Sequence, residues 1–408
     1  MIDIKFIRQN PEKVKEGIAK KQVEVDIDRL LELDEKKREY LRQIEALRAE
    51  QNRLSREDIL KARKIKAEIK SLEPKLTQTE KKFNSLMRRI PNLPLEDAPV
   101  GKDETDNVVL REEGEKLKFK FKPRDYLEIA EKLDLIDVKR AAKVAGTRFG
   151  YIKREAVLLE FALVNLAFDI LIKEKFVPVI PPVMMRPEMM AGMGYVERGE
   201  DEIYYLERDK LYLVGTSEQS IGAMHSGEVL KENDLPKRYI GFSTCFRREA
   251  GAYGKDTKGI LRVHQFDKVE MFSFCHPEKS KQEHQFFLKM EERLMQKLDL
   301  PYRVVEICTG DLGDPAAAKY DIEAWLPGQG RYRETHSTSN CTDYQARRLN
   351  IRYRARQGLE FVHTLNGTAF AIGRMLIAII ENYQQKDGSV LVPKALQKFT
   401  GFKKIPQK

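Results

Sequence analysis

The first 90 residues of the chain carry their apolar side chains at helical intervals. In two successive segments the steps between these positions alternate between three and four, which is the heptad pattern of a coiled coil. The first set is Leu30, Leu33, Lys37, Tyr40, Ile44, Leu47, Gln51 and Leu54. The second set is Ile65, Ile69, Leu72, Leu76, Thr79, Phe83, Leu86 and Ile90. The pattern predicts an antiparallel coiled-coil hairpin over residues 27–90.

Residues that begin, end or bend helices divide this segment. Asn10-Pro11 predicts a short helix that runs to about Lys21, because Asn caps free N–H groups and Pro fits the first turn. Residues 55–58 predict the turn of the hairpin, and Pro74 predicts a kink in its second helix. About 28 residues at ~1.5 Å each would make the first long helix roughly 42 Å long.

The charges of the hairpin are divided unevenly between its two helices. Residues 61–90 hold ten basic and three acidic side chains, whereas residues 28–58 hold eight basic and nine acidic ones. A solvated coiled-coil face is one interpretation. The other is a surface that lays cations along a phosphate backbone, where affinity comes from counterion release and shape. The net charge of the whole chain, +10, also favours a polyanionic partner but does not decide between them.

Three prolines mark the end of the hairpin. Pro91, Pro94 and Pro99 stop helical structure and predict a linker. We therefore expect an N-terminal domain over residues 1–100 and a second domain over residues 101–408.

The second domain combines short strand patterns with a few helical ones. Amphipathic patterns predict helices at residues 156–174, 277–298 and 369–383, and 176–182 has the proline-marked pattern of an edge strand. The further predicted strands are 203–206, 211–214, 239–246, 263–274 and 302–307. Because helices do not regularly separate them, we expect an antiparallel sheet of the α+β class.

Composition and missing motifs exclude several classes of protein. The longest apolar stretch, residues 156–172, is interrupted by Glu160, Asn165 and Asp169, so we expect no membrane span. The N-terminus lacks the apolar region of a secretory signal, and we expect a cytoplasmic protein. The four cysteines form no CxxC pair, which argues against a zinc knuckle. Neither a GxGxxG nor a Walker spacing occurs, so a bound nucleotide would need another scaffold.

The most informative stretch runs from Phe246 to Phe272. Treated as two strands with a glycine-rich connection, it places Arg247 and Glu249 on one face of the first strand and Arg262, Phe266 and Glu270 on one face of the second. One face of the sheet would thus offer two guanidinium groups, an aromatic ring and two carboxylates. Guanidinium groups bind phosphate or carboxylate, an aromatic ring stacks on a base, and a carboxylate holds an ammonium group. The combination suits a nucleotide beside a small zwitterion. A structural lattice of salt bridges is the alternative.

Two further segments carry candidate chemistry. Arg374 lies near the start of a strongly apolar helix and needs an anion, which would be either a structural carboxylate or a ligand phosphate. Glu334 and Ser337 offer oxygen ligands to Mg²⁺. They are three residues apart, so a regular strand would direct them to opposite faces, and a bulge or turn is required between them.

These motifs resemble bacterial-type seryl-tRNA synthetases, which are class II aminoacyl-tRNA synthetases, over essentially the whole chain. Residues 245–252 and 262–270 are similar to motif 2 of that class, residues 367–374 to motif 3, and residues 155–182 to the dimer-forming motif 1. Thr216-Ser217-Glu218 stands where the family usually has Thr-Ala-Glu, and His336 where a serine is common. The resemblance implies a tRNA-binding N-terminal domain followed by a class II catalytic domain.

The resemblance also implies a role for individual residues. Arg247 would bridge the serine carboxylate and the ATP α-phosphate, and Arg374 would lie near the γ-phosphate. The implied serine-binding residues are Thr216, Ser217, Glu218, Arg247, Glu270, Asn366 and Thr368. The implied ATP-binding residues are Arg247, Arg248, Glu249, Arg262, Val263, Phe266, Glu334, Thr335, His336, Ser337 and Arg374. Glu334 and Ser337 would hold Mg²⁺.

The implied activity is ATP-dependent ligation of L-serine to tRNA(Ser) through a seryl-adenylate, in a homodimer. Whether tRNA(Sec) is a second substrate stays open. A ligase that loads an amino acid onto a carrier protein is an alternative, but such relatives are expected to lack the hairpin and to use zinc. A catalytically silent tRNA-binding paralogue is another, and the presence of Arg247, Glu270 and Arg374 argues against it.

Overall fold

The computed structural model describes residues 1–55, 58–250 and 258–405. Two compact units make up the chain, with the boundary between Leu93 and Pro94. Among the described residues, every helix is too short or too polar to cross a lipid bilayer. The glycine-rich connection at Gly251–Thr257, and Arg56 and Glu57 of the predicted hairpin turn, lie outside the described residues.

The first unit is helical. Its helices are α1 (Ile4–Gln9), α2 (Pro11–Lys20), α3 (Ile27–Gln51) and α4 (Ile59–Arg89). α3 has 25 residues, three fewer than expected, and α4 has 31 and continues through Pro74. Asn10 is the N-cap residue of α2 as predicted, but its side chain makes no capping hydrogen bond to that helix. Its side-chain amide donates to the carbonyl of Phe6 at 3.2 Å and so closes the end of α1 instead.

The two long helices pack along the predicted seams. Ile44, Ile65, Ile69 and Leu72 form one buried cluster between them. A second cluster joins Leu30, Leu33, Phe83, Met87 and Ile90 of this hairpin to Ile7, Val14 and Ile18 of the short helices. The polar seam residue Lys37 lies over the ring of Phe83 and pairs with Glu80, so its charge is satisfied within the seam. The coiled-coil prediction is confirmed.

The second unit is built on a mainly antiparallel sheet. Its helices are α5 (Tyr126–Lys132), α6 (Val138–Ala145), α7 (Glu155–Leu171), α8 (Pro187–Met193), α9 (Ser217–Ala223), α10 (Ser280–Lys297), α11 (Tyr344–Leu349), α12 (Ile372–Asn382) and α13 (Lys394–Thr400). The eight strands of the main sheet are β1 (Val108–Glu113), β4 (Val177–Val179), β9 (Lys237–Phe246), β10 (Gln265–Cys275), β11 (Tyr302–Glu306), β12 (Ala318–Leu326), β13 (Arg331–Asn340) and β16 (His363–Ala371). Their order is β1-β11-β12-β13-β16-β10-β9-β4, and β4 pairs in parallel with β9 at the edge.

Short strands outside the main sheet complete the unit. They are β2 (Ile136–Asp137), β3 (Tyr151–Ile152), β5 (Met184–Met185), β6 (Tyr205–Leu206), β7 (Leu211–Leu213), β8 (Val229–Lys231), β14 (Arg352–Ala355), β15 (Gly358–Phe361), β17 (Val390–Leu391) and β18 (Lys404–Ile405). The α+β class with an antiparallel sheet is confirmed. The expected helix at 369–383 begins only at Ile372, because the preceding apolar residues belong to β16.

The two faces of the main sheet have different neighbours. Val269 and Met271 of β10 point into the large core that α7, α10 and α12 share with the sheet. Phe272 and Phe274, on the opposite face, join a second core with residues of α8, α9 and α11. Phe266, Lys268 and Glu270 share that second face by the period of a strand, and they line a cavity there.

Candidate active site

The cavity over β10 has a volume of about 930 Å³. Its walls come from the ends of β9 and β10, from β13 and β16, and from the first residues of α9 and α12. That volume falls within the roughly 300–1,000 Å³ of small-molecule sites. Both strong cation candidates of the sequence, Arg247 and Arg374, line this same cavity although they are far apart in the chain.

One end of the cavity is formed where α9 begins. The hydroxyl of Thr216 accepts from the backbone N–H of Glu218 at 3.3 Å and donates to Glu270 at 3.3 Å. Gly241 of β9 lies opposite Glu270 in the sheet. A Cβ at Gly241 would be 2.5 Å from Ile221 Cδ1 and 3.1 Å from Ser217 Oγ. The missing side chain therefore lets α9 lie directly on the strand and brings Glu218 to the cavity.

Glu218 is buried and receives three hydrogen bonds on one carboxylate oxygen. Tyr195 Oη donates to Oε1 at 2.8 Å, Asn366 Nδ2 at 3.0 Å and Gln345 Nε2 at 3.4 Å. Burial, together with the charge of Glu270, raises the pKa of Glu218 to about 7. This carboxyl group therefore changes its charge near neutral pH.

The second carboxylate of this end, Glu270, is also buried. Lys268, one period along the same strand, forms an ion pair with it. Thr368 of β16 lies directly opposite Glu270, because the register between β10 and β16 slips by one residue at Ala369. Two carboxylates, two hydroxyl groups and the amide of Asn366 thus surround one small polar pocket.

Arg247 lies between this pocket and the rest of the cavity. Its Nε donates to the carbonyl oxygen of Gly215 at 3.1 Å, and its guanidinium lies 5.4 Å from the ring centre of Phe266. Its positive charge acts to lower the pKa of Tyr195 on one side and the pKa of Glu334 on the other. Within the described ranges no carboxylate forms an ion pair with Arg247, so its charge faces the cavity.

The strand-face prediction for Arg247, Glu249 and Arg262 was wrong in its geometry. β9 ends at Phe246 and β10 begins at Gln265, so all three residues lie in the connection beyond the strands. Glu249 has a backbone φ of 50°, which is incompatible with a continuing strand. Arg262 Nη1 and Glu249 Oε2 pair with each other at 3.3 Å, and all three side chains still line the cavity.

The other end of the cavity holds Arg374 and Glu334. Arg374 Nη1 is 3.0 Å from Glu334 Oε1 and donates to the backbone carbonyl of Glu334 at 3.0 Å. Burial alone would raise the pKa of Glu334, but Arg374, Lys319 and Arg247 together lower it to about 2. The side chain is nonetheless 45% exposed, since it faces the open cavity. Glu334 is therefore an ionised carboxylate accessible to a ligand.

The bulge required between Glu334 and Ser337 is present. β12 and β13 pair Asp321 with Ser337 but Glu323 with Glu334, so Thr335 is the extra residue. Because Asp321 and Glu323 share a face, Glu334 and Ser337 share it as well. Both line the cavity, and a carboxylate with a hydroxyl is an oxygen donor set that suits Mg²⁺.

Three of the predicted site residues do not line the cavity. Ser217, the first residue of α9, is fully buried against β9. His336 points to the opposite face, where its ring contacts Phe370. Burial lowers the pKa of His336 to about 3, so it is neutral. Arg248 is exposed, and its guanidinium lies 5.8 Å from the ring centre of Tyr204. The predicted residues that do line it are Thr216, Glu218, Arg247, Glu249, Arg262, Val263, Phe266, Glu270, Glu334, Thr335, Ser337, Asn366, Thr368 and Arg374.

Sequence reasoning missed several residues of the site, among them Lys268, Tyr195, Lys319 and Gln345. Lys268 could have been found, since it alternates with Phe266 and Glu270. Tyr195, Lys319 and Gln345 come from a loop, from β12 and from α11, and no local pattern relates those segments to β10. Lys319 pairs with Asp321 at 3.2 Å, and Asp321 and Glu334 raise its pKa against the effect of burial.

Comparisons with known proteins agree with this geometry. Residues 1–94 match the seryl-tRNA synthetase N-terminal domain, and residues 204–383 match the tRNA synthetase class II core domain (G, H, P, S and T). The serine–tRNA ligase of Dictyoglomus turgidum is 49% identical, with 100% of both chains covered. The chain belongs to the seryl-tRNA synthetase family.

Solved seryl-tRNA synthetases have the same fold. The crystal structure of the Pyrococcus horikoshii enzyme complexed with ATP matches with a TM-score of 0.94 at 44% identity and covers 100% of both chains. The cytoplasmic serine–tRNA ligase of Naegleria fowleri in complex with AMP matches with a TM-score of 0.90 at 35% identity, covering 100% of this chain and 99% of that one. The family and the class II fold predicted from the sequence are therefore confirmed.

Proposed function

We propose that the chain joins ATP and L-serine to form seryl-adenylate and then transfers the seryl group to tRNA(Ser). Membership of the seryl-tRNA synthetase family supports the overall reaction. The observation that carries the two-step chemistry is the convergence of Arg247 and Arg374 on one cavity that also contains a small pocket with two carboxylates.

The pocket of Thr216, Glu218, Glu270, Asn366 and Thr368 would hold serine. The carboxylates suit its ammonium group, while the hydroxyl and amide groups suit its hydroxyl. A site that hydrogen-bonds a substrate hydroxyl rejects the analogue without it by a factor on the order of 10⁴, because its own polar groups are then left unpaired. This is the basis we propose for discrimination against alanine.

ATP would occupy the remainder of the cavity. Phe266 would stack on adenine, and Glu249 and the backbone at Val263 would contact its edge. Arg247, which is free of ion pairs to described carboxylates, would join the serine carboxylate to the α-phosphate. Arg262 and Arg374 would hold the other phosphates. In this arrangement the serine carboxylate attacks the α-phosphorus and pyrophosphate leaves. A ribose hydroxyl of the tRNA then attacks the carbonyl carbon of seryl-adenylate, which forms the ester bond and releases AMP.

No nucleophilic side chain is required for either step. Alignment of the two substrates and cations placed where negative charge increases would supply the acceleration. Glu334 and Ser337 would hold Mg²⁺, which supplies charge neutralisation to the phosphates when it is bound. The low pKa of Glu334 fits that role because the carboxylate is ionised at neutral pH.

We also propose that α4 binds the tRNA. All ten of its basic side chains at residues 61–90 are exposed. Two of its three acidic residues, Glu73 and Glu80, pair with Arg48 and Lys37 of α3 at 3.1 and 3.7 Å. These two acids of α4 are thus neutralised across the seam, while Lys61 of α4 pairs with Glu50 of α3 at 2.9 Å. The excess of positive charge on α4 faces outward, where a phosphate backbone can release its counterions.

Dimerisation through α7 and β4 is a further part of the proposal. β4 is an edge strand of the main sheet, and α7 exposes Leu158 and Phe161. Apolar groups beside an open sheet edge favour a second protein surface. Charging of tRNA(Sec) and a cytoplasmic location stay predictions from the sequence.

Serine-dependent ATP–pyrophosphate exchange tests the first step. We expect Arg247→Ala to abolish exchange, because the charge that joins the two substrates is lost. Arg354→Ala is the matched control, since this exposed arginine lies on β14 outside the cavity walls. Near-normal exchange by Arg247→Ala would remove the assignment.

A further inference from the structure

Tyr195 occupies the serine pocket without belonging to the motifs that the sequence analysis singled out. It lines the cavity, and its hydroxyl donates to Glu218 Oε1 at 2.8 Å. Burial, with the charge of Glu218 adding to it, raises the pKa of Tyr195 well above its ordinary value. The phenol therefore stays protonated and remains a hydrogen-bond donor over the working range of the enzyme.

The backbone fixes the position of this ring. α8 ends at Met193, and the next residue, Gly194, turns the chain with a φ of 89°. A Cβ at Gly194 would lie 2.8 Å from the ring of Tyr344, so glycine is needed both for the turn and for the space. The loop after Tyr195 is held from two sides. Glu197 contacts Arg348 at 3.3 Å, and Arg198 forms an ion pair with Asp314.

The hydrogen bonds to Glu218 are distributed unequally between its two oxygens. Tyr195, Gln345 and Asn366 all donate to Oε1. Among the described residues no donor hydrogen-bonds to Oε2. One oxygen is thus anchored by the protein, and the other is left for a cationic group in the pocket.

The charged neighbours of Glu218 act in opposite directions. Glu270 of β10 favours its protonated form, and Lys268 of the same strand favours its ionised form. The hydrogen bonds from Tyr195 and Gln345 also favour the ionised form. Since the pKa of Glu218 is about 7, loss of one donor shifts the balance toward the neutral acid at neutral pH.

We propose that Tyr195 is a positioning residue for serine, which holds Glu218 oriented and ionised so that its free oxygen binds the serine ammonium group. This inference rests on the proposed function of the pocket. Tyr195 acts through Glu218, and its removal should weaken serine binding without slowing the chemical step.

Tyr195→Phe in the full-length protein tests the inference, because it removes the hydroxyl and keeps the ring. In ATP–pyrophosphate exchange at pH 7 we expect the KM for serine to rise about tenfold, because one hydrogen bond to a charged group is lost. We expect kcat and the KM for ATP to change less than about twofold. The acid limb of kcat/KM for serine should move to higher pH, so that the variant approaches the unmodified enzyme as the pH rises. Tyr205→Phe is the control, since Tyr205 lies on β6 outside the cavity walls.

A double variant separates this role from a merely structural one. Glu218→Gln alone should raise the KM for serine and remove the acid limb, and adding Tyr195→Phe to it should have little further effect. An unchanged acid limb in Tyr195→Phe, or fully additive effects of the two substitutions, would overturn the inference. Absence of serine-dependent exchange in the unmodified protein would instead overturn the proposed function.

Discussion

The close approach of α9 to β9 at Gly241 makes a sharp test of how the proposed serine pocket is assembled. Gly241→Ala adds one carbon at 2.5 Å from Ile221 Cδ1 and 3.1 Å from Ser217 Oγ. Carbon atoms in contact lie about 3.5–4.0 Å apart, so a displacement of about 1 Å is required. Ile221 and Ser217 are both almost fully buried, and neither can move into solvent.

The expected cost follows from this overpacking. Extra carbons in a filled core cost about 1–3 kcal/mol. If α9 takes up the displacement, Thr216 and Glu218 move with it. A loss of about 1–3 kcal/mol in the free energy of serine binding corresponds to a rise of about 5- to 150-fold in the KM for serine. The KM for ATP should change much less, because Arg247, Phe266 and Arg374 are on other elements. Serine-dependent pyrophosphate exchange at varied serine and ATP measures both constants.

Ile221→Val supplies the matched rescue, because it removes the very methyl group that the new carbon meets. Alone, this substitution should cost about 0.5–1.5 kcal/mol in stability with little effect on KM. Combined with Gly241→Ala it should restore most of the serine affinity, a coupling that a double-mutant cycle quantifies. The reasoning would be refuted by a normal serine KM in Gly241→Ala, or by a defect that Ile221→Val leaves unrelieved.

Three further predictions concern the rest of the molecule. Changing Lys64, Lys66, Lys70 and Lys75 of α4 to Gln should leave pyrophosphate exchange unchanged but raise the KM for tRNA. The salt dependence of that KM should become flatter by about one unit of slope per lost phosphate contact. Lys36→Gln with Arg42→Gln on α3 should change neither the KM for tRNA nor its salt dependence. Glu334→Gln should raise the Mg²⁺ concentration needed for half-maximal exchange by about tenfold. Glu323→Gln should not raise it, because the carboxylate of Glu323 is paired to Arg303. In the unmodified enzyme, kcat/KM for serine should fall as the pH drops through about 7. The reason is that the pKa of Glu218 is raised to about 7, so that this carboxylate takes up a proton and loses its charge. A flat profile of kcat/KM from pH 6 to about 8 would contradict the assignment of Glu218 to the serine ammonium group.

The sequence predicts the helical hairpin and several strands of the sheet because those segments follow one period over many residues. The seams around Ile44, Ile69 and Phe83 repeat over several turns, and packing of the two helices follows from that repeat alone. β9 and β10 were found for the same reason. β16 was mistaken in part for a helix, since residues 364–371 are buried on both faces or nearly so and show no alternation.

The active site is predictable to a smaller extent. Fourteen of the seventeen residues that motif resemblance named line the cavity. Periodicity, however, placed Arg247 and Glu249 on a strand that ends before them, and Arg262 on a strand that begins after it. Their positions depend on contacts with residues distant in sequence, such as the hydrogen bond from the Arg247 backbone N–H to the carbonyl oxygen of His264 at 2.9 Å. Tyr195 and Gln345 reach Glu218 from segments 23 residues before it and 127 after it, and nothing in the local sequence relates them.

The single extra residue at Thr335 has a consequence for comparing sequences of such enzymes. Glu334 and Ser337 occupy one side of the sheet only because the count of residues between them differs by one from that of the neighbouring strand. Loss of one residue here would leave the remaining side chains of the segment unchanged and yet direct one of the two oxygen donors away from the cavity. A gap at this point in an alignment should therefore weigh more heavily than several substitutions around it.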